Sequence, residues 1–140
     1  NLARETAQHV SSIAAIADLQ SRLQAAKLQD KVTFVLMNVF GRTLNRPMRA
    51  GRDHLGAHHC TVIIGKGIRG SVIGGVAKAG NDYAATAIDS RTGQSSGNLD
   101  IRFEDTLAAV GKTIAAAVGV PGEVINDQIT AGKVVQAALA

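Results

Sequence analysis

The stretch VTFVLMNV at residues 32–39 decides the fold class, because its mostly apolar residues are strand formers and follow one another without alternation. Such a run is typical of a strand that is buried on both faces of a parallel sheet. A long amphipathic pattern at residues 4–28 precedes it and predicts a helix. Together they indicate an α/β protein with a mostly parallel sheet flanked by helices.

Further elements are predicted along the rest of the chain. Short apolar segments bounded by glycines or polar residues predict strands at residues 61–64 and 71–76, and more weakly at 83–88. A Ser/Gly-rich segment at residues 89–98 predicts a loop. The pattern at residues 104–118 predicts a helix that Gly119 closes, with Pro121 just beyond. A final short helix is predicted at residues 130–139.

Composition restricts the class of protein. With 140 residues, 46% hydrophobic and 19% charged, the chain is a globular protein with a single domain over residues 1–140. Its net charge of +4 is spread along the sequence, with a mild concentration at Arg42, Arg46, Arg49 and Arg52. Nucleic-acid binding would call for a denser basic stripe with aromatic residues, and no apolar run is long enough to span a membrane.

The loop after the strand at residues 32–39 holds the candidate site. It contains Phe40-Gly41-Arg42-Thr43, then Gly51-Arg52-Asp53-His54, then His58-His59. Carboxylate and imidazole groups suit a divalent metal such as zinc, which predicts Asp53, His54 and His58 as ligands. Guanidinium groups suit phosphate or sulfate, which predicts anion binding by Arg42 and Arg52. From the spacing alone, the alternative to a metal site is that the Asp-His pair forms local hydrogen bonds that cap the loop.

These residues also resemble a known pattern. From about Leu28 to Gly75 the chain is similar to the carboxyl-terminal region of a large bacterial family of unknown function in the alkaline phosphatase and sulfatase superfamily. That family carries an apolar strand, then E-F-G-R-T-P, then G-R-D-H, a second strand, a glycine-rich turn and V-I-G. The counterparts here are residues 30–39, 40–43, 51–54, 61–64, 65–70 and 72–74, and the segment from Phe103 onward resembles its later helix.

The resemblance implies a partial alkaline phosphatase-like fold that forms the carboxyl-terminal part of a larger domain. It implies metal-dependent hydrolysis of phosphate or sulfate esters, on a small anionic ester, with the nucleophile outside this chain. Asp53 and His54 match G-R-D-H and carry over as ligands, while Arg42 or Arg52 would steady the anion. A missing amino-terminal half or a second copy of the chain would cover the exposed sheet edges. The compartment, bacterial periplasm or cytoplasm, stays open.

One position departs from the family pattern. The acidic residue that precedes F-G-R-T is Val39 here, and a valine cannot coordinate a cation. The alternative hypothesis is therefore a non-catalytic binding or structural module that kept the fold and lost the chemistry.

Overall fold

The computed structural model describes residues 2–45 and 52–140, and Arg46, Arg49 and Gly51 lie outside them. Within these residues the chain combines helices with three small antiparallel sheets of two strands each. The strands are β1 (Phe34–Met37), β2 (Gly41–Arg42), β3 (His54–Leu55), β4 (Thr61–Ile64), β5 (Val76–Ala79) and β6 (Asp82–Ala85). The helices are α1 (Leu2–Ala25), α2 (Thr106–Ala117) and α3 (Gly122–Gln128), with 3-10 turns at Phe103–Asp105 and Gln136–Ala138.

The mixture of helices and strands agrees with the sequence, but the prediction of a mostly parallel sheet is wrong. Strand β1 pairs antiparallel with β4, with Phe34 opposite Ile64 and Met37 opposite Thr61. A parallel pair needs a crossover of about a dozen residues or more, usually a helix. The described part of the connection from β1 to β4 contains the β2–β3 ribbon instead, which returns the chain in the opposite direction.

The apolar run at residues 32–39 is also less buried than its composition suggests. Only its central four residues form β1, and three of these are half-buried. Met37 is 52% exposed and Val39 is 94% exposed. The described residues do not cover both faces of this two-stranded sheet, so the unalternating apolar sequence leaves large side chains in contact with solvent.

Strands β5 and β6 form a hairpin whose bounds differ from those predicted from the sequence. The strand predicted at residues 71–76 begins only at Val76, and the one predicted at residues 83–88 is shifted to β6. Gly80 occupies the first central turn position with φ +58°, as type II′ turns require. Beyond the hairpin, Ile88 makes an isolated bridge with Ile101.

Of the two helices predicted in the carboxyl-terminal half, the first is confirmed and the second is wrong. The segment predicted at residues 104–118 is a 3-10 turn followed by α2, and Gly119 at φ +84° follows its end. The helix predicted at residues 130–139 is wrong: α3 forms earlier, at Gly122–Gln128. Pro121 is the N-cap residue of this helix, and its carbonyl accepts a hydrogen bond from the Ile125 N–H at 3.0 Å.

The core lies in the carboxyl-terminal half. A cluster of small and branched apolar side chains is buried there, with two partly buried neighbours: Ile88, Ile101, Ala109, Val135, Ala138, Ile73 and Ala137. Gly132 lets the tail lie against α2, since a Cβ at this position would come within 2.7 Å of the Ala109 backbone nitrogen. Among the described residues, no helix has the length and apolar character needed to cross a bilayer.

Candidate functional site

The two sequence motifs meet in the β2–β3 ribbon. Its register places Gly41 opposite Leu55 and Arg42 opposite His54. The Thr43 N–H donates to the Asp53 carbonyl at 3.0 Å, and the Asp53 N–H donates to Thr43 Oγ1 at 3.1 Å. The F-G-R-T and R-D-H segments are thus adjacent strands at the base of one loop, a pairing that spacing alone did not predict.

Gly41 is a steric requirement of this ribbon. A Cβ atom built on it would collide with the backbone carbonyl oxygen of His58 and would lie 2.9 Å from that of Leu55. Its φ is in the ordinary range, so the demand is for space and not for an unusual backbone conformation. The segment from Leu55 to His58 therefore packs directly against the backbone of the first motif.

Phe40 supports the exposed side chains of the ribbon. Its ring centroid lies 3.8 Å from that of His54, with the two planes inclined by 30°. The Arg42 Cζ atom lies over the same ring, 5.1 Å from its centroid, which is cation–π geometry. We call Phe40, Arg42 and His54 the anion face, after the anion contact that the sequence predicts for Arg42. Arg42 and His54 are exposed and Phe40 is half-buried.

The two predicted anion-binding arginines hold the loop closed at its base. Arg42 Nη1 donates to the Arg52 carbonyl at 3.3 Å, and Arg52 Nη1 donates to the Thr43 carbonyl at 3.2 Å. The ion pairs of the described residues involve neither arginine. Each planar guanidinium carries several further N–H donors, so the predicted anion contact would not require either arginine to leave the loop.

The metal ligands predicted from the sequence do not form a complete set by themselves. In an extended ribbon successive side chains alternate between faces, which places Asp53 on the face opposite His54. The third candidate, His58, has a buried Nε2 atom that lacks a hydrogen-bond partner in the described part of the chain. Residues 2–45 and 52–140 contain no group of three or more His, Cys, Asp or Glu side chains placed to hold a metal ion. A zinc site at Asp53, His54 and His58 therefore stays a prediction that needs additional ligands.

Asp82 is a residue of this region that the sequence analysis missed. Its Oδ1 atom accepts hydrogen bonds from the backbone N–H groups of Leu44 at 2.9 Å, Asn45 at 3.3 Å and Tyr83 at 2.9 Å. Partial burial acts to raise the pKa of this carboxyl. The three hydrogen bonds and the nearby His58 outweigh that effect and lower the pKa below its ordinary value. The tip of the β5–β6 hairpin thus holds the chain that leaves β2.

Only a hairpin signal in the sequence pointed toward Asp82. Gly80-Asn81 is a turn sequence of the kind that joins two strands, and Asp82 follows it directly. Asn81 also accepts, through its carbonyl, a hydrogen bond of 2.8 Å from Asn45 Nδ2. Neither contact can be read from the sequence, because the partners lie more than thirty positions apart.

Comparison with known proteins identifies the family. No curated protein and no solved structure gives a significant match to the chain. A family model described as "Protein of unknown function (DUF1501)" matches residues 3–118, well over half of the sequence. The chain therefore belongs to the DUF1501 family of proteins of unknown function.

Proposed function

We propose that this chain binds the phosphate or sulfate group of a small anionic ester at the anion face. The observation that carries the proposal is the β2–β3 register, which sets Arg42 directly opposite His54. Both side chains rest on Phe40, and the ion pairs of the described residues include neither of them.

The chemistry of these groups matches a tetrahedral oxyanion. A guanidinium presents N–H donors in a fixed plane that suits two oxygens of phosphate or sulfate. The imidazole across the ribbon adds a further donor to the same ligand. Because Phe40 restricts both side chains before a ligand arrives, less conformational entropy is lost on binding.

The ester class also follows from the resemblance to the alkaline phosphatase and sulfatase superfamily. In the fuller form of the proposal the chain is part of a larger domain of that fold, and metal-dependent hydrolysis takes place there. A divalent metal would polarise the ester oxygen once bound. The exposed Asp53 and His54 favour this second candidate, while Val39 and the incomplete ligand set favour a binding module.

The binding proposal is tested by titrating the chain with inorganic phosphate and sulfate while amide chemical shifts are recorded by NMR. We expect saturable shifts at residues 40–43 and 54–55. Arg42→Ala should weaken binding at least tenfold, since it removes a charge-assisted contact. Arg91→Ala, which removes an equal charge at an exposed side chain of the loop at residues 89–98, should leave the affinity unchanged. Equal weakening by both variants, or the absence of saturation, would overturn the proposal.

A second experiment separates binding from hydrolysis. Aryl phosphate and aryl sulfate are offered to the chain with and without added zinc. Turnover that requires the metal and is lost in His54→Ala would establish the hydrolase. Saturable binding without turnover would support the binding module.

A further inference from the structure

Helix α1 exposes large apolar side chains on one side. It runs for 24 residues, and most of its described side chains are exposed, while Ile16, Leu19, Gln20 and Leu23 are half-buried. Val10 is 63% exposed and Ile13 is 66% exposed, although both belong to the face that was predicted to be buried. In proteins, helices take most of their stability from packing an apolar face against a neighbour. In the described part of the chain Val10 and Ile13 lack such cover, whereas Ile16 and Leu23 of the same predicted face are half-buried.

The accessible surface area of the whole chain is also larger than that of a compact monomer. Its accessible surface is 9577 Å², whereas a compact monomer of this mass exposes about 6,900 Å². The excess is about 2,700 Å², and a stable protein–protein interface takes only about 800 Å² from each partner. The molecule therefore exposes ample surface for a specific interface.

We propose that a second copy of this chain covers α1, and that the two helices pack antiparallel about a two-fold axis. The contact positions follow a coiled-coil spacing of alternating three and four residues. They are exposed and mostly small: Ala3, Ala7, Val10, Ala14, Ala17 and Ser21. In the antiparallel register Val10 packs beside the partner's Ala14. Ile13 lies at the edge of this contact, close to the axis, and therefore meets the partner's Ile13.

The charged residues of α1 favour a second copy of the chain as the partner, and they favour an antiparallel orientation of the two helices. Arg4 and Asp18 flank the same side of the contact line, near opposite ends of α1. Antiparallel packing of two copies places Arg4 beside the partner's Asp18, and the symmetry repeats this pair. A parallel arrangement would leave Arg4 and the partner's Asp18 fourteen residues apart along the helix axis, so this pair could not form. Asp18 accepts a bond from Arg22 at 2.8 Å in its own helix, and its second oxygen can accept from the partner.

The first test is sedimentation equilibrium on the whole chain over a range of micromolar concentrations. We expect a monomer–dimer equilibrium. Ile13→Glu places two carboxylates together at the axis and should raise the dimer dissociation constant at least tenfold. Gln8→Glu, a matched change on the opposite side of the helix, should leave the constant unchanged. A wild-type monomer at every concentration, or a dimer that Ile13→Glu does not weaken, would overturn the proposal.

The second test uses charge exchange and does not depend on how Ile13→Glu folds. Arg4→Asp and Asp18→Arg should each weaken the dimer, and the double variant should recover most of the loss. Failure of the double variant to recover would overturn the antiparallel arrangement. Circular dichroism on each variant at the concentrations used confirms that helix content is retained.

Discussion

Gly41 is the residue that allows the two motifs of the anion face to meet. The Phe40 and Arg42 side chains reach His54 only because the chain between them approaches the backbone of His58 closely. A single hydrogen atom in place of a side chain therefore decides the geometry of the site.

We expect Gly41→Ala to destabilise the protein by about 1–3 kcal/mol, the usual cost of overpacking a close contact. It should also abolish phosphate binding, because β2 and β3 must separate. Urea unfolding and the phosphate titration measure the two effects. Gly56→Ala is the matched control, since a Cβ there meets no atom within 4 Å. Equal stability of the two variants would contradict the steric account.

Asp100 links three segments of the carboxyl-terminal half. Its carboxylate accepts bonds from Lys133 Nζ at 2.8 Å, from the Ser90 N–H at 2.8 Å and from Ser90 Oγ at 2.8 Å. The Lys133 bond, followed by those from Ser90, holds the pKa of this carboxyl far below its ordinary value. These bonds favour the ionised form, so protonation weakens them and removes the charge attraction to Lys133.

A pH prediction follows from this shift. The pKa of Asp100 is lower in the folded chain than in the unfolded chain, so its contribution to stability is present above about pH 4 and is lost as the pH falls further. We expect Asp100→Asn to be less stable than the wild type at pH 7 and to lose less stability between pH 4 and pH 2. Urea unfolding at a series of pH values checks this, with the exposed Asp127→Asn as control. The same slope in wild type and Asp100→Asn would count against it.

At the scale of elements, the sequence predicted what depends on local pattern. Strand β4 has the predicted bounds, and the helix at Thr106–Ala117 lies where its periodicity and Gly119 place it. The direction of β1 was not predictable, because an apolar run shows burial tendency and does not reveal which strand will be its neighbour. The arginines and histidines of the site were identifiable as residue types, whereas their pairing through the β2–β3 ribbon depends on tertiary contacts.

The contact between the β5–β6 hairpin and the chain after β2 gives a prediction about local order. Asp82→Ala removes the acceptor of the Leu44, Asn45 and Tyr83 amides. We expect faster hydrogen exchange at Leu44 and Asn45, with exchange in α2 unchanged, because the loss is local. Asp30→Ala, at an exposed carboxylate outside this contact, is the control. Unchanged exchange at Leu44 would show that Asp82 does not hold this segment.

The whole molecule is uneven in its packing. The buried apolar cluster joins the bridged segments at Ile88 and Ile101, α2 and the tail, whereas α1 and β1 leave large side chains exposed. Amphipathic periodicity correctly predicted α1 as a helix, but it could not tell whether its apolar face meets this chain's own core or another molecule. Periodicity reports that a face is apolar and carries no information on which surface covers it.

The proposed dimer makes the stability of α1 depend on protein concentration. Association with a second copy stabilises the folded dimer by mass action. The gain is about 1.4 kcal/mol for each tenfold rise in protein concentration. For an assembly of this size we expect the melting temperature, followed by far-UV circular dichroism, to rise by roughly 2–4 °C per tenfold. Ile13→Glu should remove this dependence, and Gln8→Glu should retain it. A wild-type melting temperature that is constant over a hundredfold range of concentration would show that α1 is stable without a second copy.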